Sequence, residues 1–350
     1  MSKDAASRKT VSRKKQHVDI TLNRDVGFRD KRSGLERFEF VHNALPELDL
    51  AEIDTSTTFL GHTLSIPFMV SCMTGGYAGA LAINRGLAEI CAEMGLALGV
   101  GSQRQVLQSK EFRRTFSIVR EVAPSIAVVG NIGAAEVASM KTADPVCELV
   151  DLIRADAFAV HLNPVQEFLQ PEGTPRFRGV LEGIRMLVRS LGVPVIVKEI
   201  GAGISRQVAQ RLLDAGVTII DVAGAGGTSW AGVEALRSRD RRFAMRFWDW
   251  GIPTATALRE VALLKHSRPF TLIGSGGIAS GFDAAICIAL GADLVGSARP
   301  ILTALSHGGT RGLRLLLTAW TKELRGVMFL TGSRSLTDLQ HAPLVERRTS

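Results

Sequence analysis

Long apolar stretches are missing from this sequence: no run of eighteen apolar residues occurs anywhere in it. That excludes an obvious membrane-spanning helix. The four cysteines, Cys72, Cys91, Cys147 and Cys287, are scattered through apolar patterns with no metal-ligand spacing. They read as buried free thiols of a cytoplasmic protein, since neither a disulfide framework nor a zinc site has this spacing. The N-terminus is polar and basic, without the apolar core of a signal peptide. Tyr77 is the sole tyrosine, and the other aromatics form no stacking platform or recognition helix. A net charge of +8 still invites a nucleic-acid partner, but its distribution argues against one. Lys3, Arg8, Lys9, Arg13, Lys14 and Lys15 against Asp4 carry +5 of it within residues 1–15, leaving +3 for the rest. A basic arm that meets the phosphates of a small ligand, or a merely solvated tail, fits better than duplex binding.

What is present is a rhythm. Residues 1–15 are polar enough to be mobile. Ser12 is placed to cap a short helix with Arg13, Lys14 and His17 roughly on one face. Thr57–Leu60 and Thr63–Ile66 form a hairpin around Gly61-His62. From Ile66 onward, short β-branched runs alternate with helical patterns. The strands are 66–71, 96–100, 126–129, 157–160, 193–197, 217–222, 270–273 and 293–295. The helical patterns between them cover 80–94, to 122, to 154, 180–191, 205–215, 254–266 and 280–290, with helices to about 330 after the last strand. Strands this apolar are buried on both faces. Eight strand–loop–helix units at this length predict a (β/α)8 TIM barrel, with a doubly wound open sheet as the alternative. The chain divides into a basic arm and extension (1–55), the barrel (56–340) and a tail (341–350).

In a barrel the loops after the strands converge, so polar residues there are the candidates. The stretch His161-Leu162-Asn163-Pro164-Val165-Gln166-Glu167 stops its strand at Pro164, and loop is expected beyond Leu162. Glu167 stands alone as its carboxylate, which beside Asn163 and Gln166 would suit Mg²⁺; its alternative is a solvated loop residue or the first-turn acid of a helix. His161 could be a general base or a phosphate donor. Gly274-Ser275-Gly276-Gly277 and Gly296-Ser297-Ala298 lie where barrels bind phosphate, glycine letting backbone N–H groups approach; the alternative is that these glycines only make tight turns. Lys198 ends an apolar strand, where it would meet a buried anion or form a Schiff base, or snorkel to the rim. Met73-Thr74-Gly75-Gly76, Ser102 and Asn131 together suit the polar edge of a flat heterocycle. Trp230, Trp248 and Trp250 fall in a long irregular segment, as an apolar cover or a satellite core. No paired carboxylates for acid–base work are visible at the strand ends.

Several of these segments resemble the type 2, flavin-dependent isopentenyl-diphosphate delta-isomerases. The matching text is Ser-Arg-Lys-Lys-Gln-His-Val (12–18), Met-Thr-Gly-Gly (73–76), Gly-Val-Gly-Ser-Gln-Arg (99–104), His-Leu-Asn-Pro-Val-Gln-Glu (161–167) and Gln-Pro-Glu-Gly (170–173). It continues through Val-Lys-Glu (197–199), Gly-Gly-Thr-Ser-Trp (226–230), Asp-Trp-Gly-Ile-Pro-Thr (249–254), Gly-Ser-Gly-Gly-Ile (274–278) and Leu-Thr-Gly (330–332). The resemblance implies interconversion of isopentenyl and dimethylallyl diphosphate in isoprenoid biosynthesis, with FMN, Mg²⁺ and NADPH as reductant. It implies FMN on Met73, Thr74, Gly75, Ser102, Asn131, Lys198 and Thr228, its phosphate on Ser275, Gly276, Gly277, Ser297 and Ala298. Substrate would meet Arg13, Lys14, Ser102, Arg104, His161, Asn163 and Gln166, with Glu167 holding the metal. Gln166, Trp230 and His161 would lie nearest the chemistry. In this family the basic arm can come from a neighbouring subunit, which implies a homo-oligomer, a tetramer or octamer. The Arg-rich stretch 237–246 matches nothing in it. A 2-hydroxy-acid oxidase is the competing flavin barrel, but His266 and His307 are poorly placed as its base.

Overall fold

The architecture is a closed barrel of eight parallel strands, seen in a computed structural model that describes residues 3–347. Met1, Ser2 and residues 348–350 lie outside the described residues, and with them the two ends of the expected arm and tail. The barrel strands are β1 (Phe68–Val70), β2 (Ala97–Gly99), β3 (Val128–Gly133), β4 (Ala157–His161), β5 (Val195–Lys198), β6 (Ile219–Asp221), β7 (Thr271–Ser275) and β8 (Leu294–Ser297). Each pairs with the next, and β8 closes on β1 with Val295 beside Phe68.

Alternation along each strand separates two apolar layers. In β4, Ala157 and Ala159 join Met69, Val129, Ile196 and Ile273 in the barrel interior. Phe158 and Val160 face the helices and join the outer core. Small interior residues leave room at the bottom of the barrel, and Phe59 and Leu64 of the hairpin fill it. The hairpin strands are Thr57–Phe59 and His62–Leu64, with Phe59 opposite His62. The two-residue turn is therefore Leu60-Gly61, one position before the expected one. Both residues have positive φ (52° and 79°), the twist that a two-residue hairpin turn needs, and Leu60 takes the left-handed strain.

Three other expectations change. A single helix, Lys3–Asn23, replaces the mobile arm and the short helix starting at Ser12. Its Ala, Arg, Lys and Gln residues favour helix, and no Gly or Pro interrupts it. The segment after Leu162 is a helix, Pro164–Leu169, with proline at its first position, where the missing N–H costs nothing. The irregular segment after β6 contains a helix, Trp230–Arg237, capped by Ser229, whose Oγ accepts from Gly232 N at 2.9 Å. Trp248 packs with Leu169, Ala231, Ala235 and Ala244 as a satellite core, whereas Trp250 is 61% exposed. A pairing without local signal ties the chain ends together: Phe38–Phe40 runs antiparallel to Leu344–Glu346.

Phe158 is fully buried. Phe158→Ala is expected to lower unfolding stability by about 3–5 kcal/mol in urea titration, the range for truncating a buried aromatic.

Candidate active site

Register lines up the chemistry. Gly133, His161, Lys198 and Asp221 are successive cross-strand neighbours at the C-terminal ends of β3 to β6. His161 and Lys198 of this row line a cavity of about 520 Å³, together with the other residues assigned above to flavin, substrate and metal; Gly76, Trp248 and Trp250 do not line it. The N-terminal helix closes it from above, bringing Arg13, Lys14 and His17 inside the same chain's site.

The glycine loops build a tight backbone cradle. Gly276 and Gly277 have φ of 102° and 79°, and a Cβ on Gly277 would lie 2.8 Å from the Gly226 carbonyl carbon. A Cβ on Gly227 would fall 2.7 Å from Gly277 N. Only glycine permits that approach. The Ser275 hydroxyl donates to Asp221 Oδ1 (2.5 Å), and Ser297 Oγ donates to Ile278 O (2.9 Å). Both hydroxyl protons are thus committed, and backbone N–H groups are what the cradle offers an anion.

Opposite the cradle sits a group of cations. Lys14 Nζ donates to the carbonyls of Gly75 (2.7 Å) and Ser102 (2.6 Å) and lies over the Phe116 ring. Burial, with Arg13 and Arg104 beside it, pushes its pKa well below the usual lysine value. Burial and Arg104 pull Arg13 down to about 10. Arg104 pairs with Glu136. His161 shares this field. Burial first, then Lys198, Arg104, Arg13 and Lys14, lower its pKa to about 3, so it is neutral at physiological pH. Its Nδ1 is 2.7 Å from Asn131 Oδ1. A carboxamide oxygen only accepts, which assigns the proton to Nδ1 and leaves Nε2 as an acceptor.

Lys198 neither snorkels nor stands alone. It is buried, donating to Glu199 O (2.6 Å) with Asp221 Oδ2 at 3.4 Å. Carboxylates are therefore present at the strand ends after all, but Asp221 is held by Lys198 and Ser275. Glu199 Oε2 accepts from the backbone N–H of Ile200, Gly201 and Ala202 at 2.5–2.7 Å, pinning the loop after β5. Burial raises its pKa to about 7 despite those donors.

The helix Pro164–Leu169 turns the opening motif into a polar stripe. Asn163, Gln166, Glu167 and Gln170 follow i, i+3, i+4, i+7 spacing, lie on one helix face and are all buried against the cavity. Asn163 Nδ2 donates to Gln166 Oε1 (2.9 Å) and Glu167 Oε1 (3.2 Å), and Thr174 N donates to Glu167 Oε2 (2.7 Å). Gln166 Nε2 reaches Glu234 Oε1 at 3.4 Å. Glu234, which the sequence did not reveal, is fully buried. It also meets His17 Nε2 (2.7 Å) and Arg237 (2.6 Å). Arg237, the start of the unplaced Arg-rich stretch, is thereby the outer support of this network and binds Glu172 as well. His17 packs edge-on to Trp230, ring centroids 5.1 Å apart. Its place was foreshadowed by its spacing from Arg13 and Lys14. His266 and His307 are exposed and outside the cavity.

The profile of the FMN-dependent dehydrogenase family matches residues 6–116 and 120–346. An isopentenyl-diphosphate delta-isomerase of Chlorobaculum parvum is 48% identical over 351 residues, covering 97% of this chain and 98% of that protein. One of Methanothermobacter thermautotrophicus is 45% identical, covering 95% and 92%. The chain belongs to the isopentenyl-diphosphate delta-isomerase family, within the FMN-dependent dehydrogenase fold. The solved structures it resembles share that fold at low identity. A putative lactate oxidase of Pediococcus acidilactici superposes with a TM-score of 0.69 at 16% identity, covering 97% of this chain and 95% of that one. A mandelate oxidase with benzoyl-formic acid gives 0.65 at 18%, covering 99% and 98%. This chain therefore shares its barrel fold with these oxidases.

Because Glu199 holds its proton more tightly when folded than when unfolded, native protein binds more protons between roughly pH 4.5 and 7. That contribution to stability is largest at the acid end of the window and is lost as pH rises towards 7. Glu199→Gln is expected to remove this slope in thermal melts across the window, relative to the parent chain. His161 is expected to show no titration between pH 5 and 8 in ¹H–¹⁵N spectra of ligand-free protein.

Proposed function

We propose that this chain interconverts isopentenyl and dimethylallyl diphosphate with reduced FMN, Mg²⁺ on Glu167 and NADPH as the reductant. The observation that carries this is the convergence of Arg13, Lys14 and Arg104 on the polar stripe 163–170 within one cavity. A charged diphosphate needs those cations, and an oxidase acting on a small hydroxy acid would not.

Moving a double bond requires adding one proton and removing another at carbon, in a dry site. When bound, reduced FMN supplies proton transfer at a ring nitrogen. The residues fit the cofactor: the glycine cradle would take its phosphate, and Ser71 Oγ is buried in the same cavity with no hydrogen-bond partner among the described residues. Backbone groups around Gly276, Gly277, Ser297 and Ala298 would hold the phosphate. Met73, Thr74, Gly75, Ser102, Asn131 and Thr228 would border the ring, with Lys198 stabilising negative charge on it. Arg13, Lys14 and Arg104 would bind the diphosphate, with His161 Nε2 and Asn163 Oδ1 accepting from water around it and Gln166 towards the reacting carbons. Trp230, held edge-on by His17, would face developing positive charge with its π surface. Among the described residues no three acidic, histidine or cysteine side chains cluster as a metal site. One carboxylate with neighbouring amide oxygens suits Mg²⁺, which keeps several waters. The free cysteines support a reducing, cytoplasmic setting, and a homo-oligomer completes the reading.

Photoreduced, FMN-loaded protein is expected to isomerise isopentenyl diphosphate under anaerobic conditions. No isomerisation, with bleaching of the oxidised flavin by lactate or mandelate, would establish the hydroxy-acid reading instead. Lys14→Met is expected to raise KM for the diphosphate by about ten- to a hundredfold, the loss of one charge-assisted hydrogen bond, with flavin still bound. Trp230→Phe with unchanged kcat would remove the role given to the indole.

A further inference from the structure

Gln170 carries a polar group that nothing in the fold uses. It is 5% exposed and lines the cavity, yet neither Nε2 nor Oε1 has a hydrogen-bond partner among the described residues. Leaving a buried donor and acceptor unpaired is costly, and folded proteins avoid it unless something else supplies the partners. The side chain is not there by slackness. Its backbone is fixed at both ends, its N–H donating to Gln166 O (2.9 Å) and its carbonyl accepting from Gly173 N (2.9 Å). The second bond closes a β-turn over Gln170-Pro171-Glu172-Gly173, with proline at the position that favours it. Glu172 of that turn is anchored by Arg237 at 3.0 Å.

Two neighbours on the cavity wall are unsatisfied in the same way. Asn163 Oδ1, two turns away on the same face, lacks a donor, and Arg13 Nε lacks an acceptor. The open atoms are therefore of two kinds. Arg13 Nε and Gln170 Nε2 call for an acceptor, as a phosphate oxygen is. Gln170 Oε1 and Asn163 Oδ1 call for a donor, as a metal-bound water is. Glu167 stands between the two carboxamides on the stripe.

We propose that Gln170 is a further binding residue of the site, taking a hydrated divalent cation–diphosphate unit through both ends of its carboxamide. Nε2 donates to a diphosphate oxygen, and Oε1 accepts from water on the cation. This rests on the diphosphate reading above. It adds a residue that fixes the metal's water shell and not only the anion, so that cation and diphosphate bind together.

The test uses FMN-loaded protein and inorganic diphosphate with Mg²⁺, followed by thermal shift and calorimetry, so that it is read without turnover. In Gln170→Leu, ligand-free stability is expected to be unchanged or higher, because two unpaired atoms are removed. Affinity for Mg²⁺–diphosphate is expected to fall at least tenfold, and the Mg²⁺ concentration for half-maximal isomerisation is expected to rise. A lower ligand-free melting temperature with undiminished Mg²⁺–diphosphate affinity would overturn the proposal and make Gln170 a structural residue. Gln170→Glu provides a second route should the leucine variant misfold. It keeps an acceptor and loses the donor, so diphosphate affinity is expected to drop in Mg²⁺-free buffer and recover when Mg²⁺ is added. Unchanged affinity in Mg²⁺-free buffer would overturn the donor role. Parent protein that binds Mg²⁺–diphosphate but fails to isomerise would instead count against the proposed function, leaving the Gln170 comparison readable.

Discussion

Three partly buried cations lie together in one wall of this molecule, and most of the remaining structure accommodates them. Lys14, Arg13 and Arg104 repel one another in a medium that screens poorly, and Glu136 is the carboxylate paired directly with the group. Burying like charges is unfavourable unless hydrogen bonds or a bound anion offset it. Lys14 is tolerated because the loops after β1 and β2 aim two carbonyls at its ammonium group, and Phe116 lies beneath it. The same field keeps His161 neutral, and the Asn131 carboxamide oxygen on Nδ1 leaves its Nε2 as an acceptor. The ligand-free site is therefore poised for an anion whose charge relieves the repulsion.

That constraint explains the placement of the N-terminal helix. Two of the three cations lie on it, together with His17, which reaches the buried Glu234. Docking the helix closes the cavity and completes its electrostatics in one step. Below it, the barrel supplies what must not move: the register-aligned His161, Lys198 and Asp221, and a glycine cradle too tight for any other residue. Between the two lies the stripe from Asn163 to Gln170, which carries the carboxamides and the carboxylate. Fixed charges held in place before the reaction are a condition that protonating an alkene demands.

Much of this was legible residue by residue. The eight short apolar runs announced buried parallel strands, and the helix Ala80–Met94 has the bounds its periodicity predicts. The polar ends of β3 to β5 were visible because Asn131, His161 and Lys198 interrupt otherwise apolar text. Pro164 misled, because the property that ends a strand also suits the first turn of a helix. With that reading, the i, i+3, i+4, i+7 spacing of Asn163, Gln166, Glu167 and Gln170 went unseen. Glu234 and Arg237 were hidden for a different reason: their meaning lies in contacts with His17, Gln166 and Glu172, which are distant in sequence. The pairing of Phe38–Phe40 with Leu344–Glu346 is equally non-local, and no pattern within either segment specifies it.

The central claim is that an anion is the missing partner of the partly buried cations. Titration calorimetry of FMN-loaded protein with isopentenyl diphosphate, in two buffers of different ionisation enthalpy at mildly alkaline pH, counts the protons exchanged on binding. An alkyl diphosphate is already fully ionised there, so uptake must come from the protein. Net proton uptake that is smaller in Lys14→Met is the expected result, because a bound anion raises the lowered pKa of Lys14. Binding with no uptake, or with net release, would contradict it.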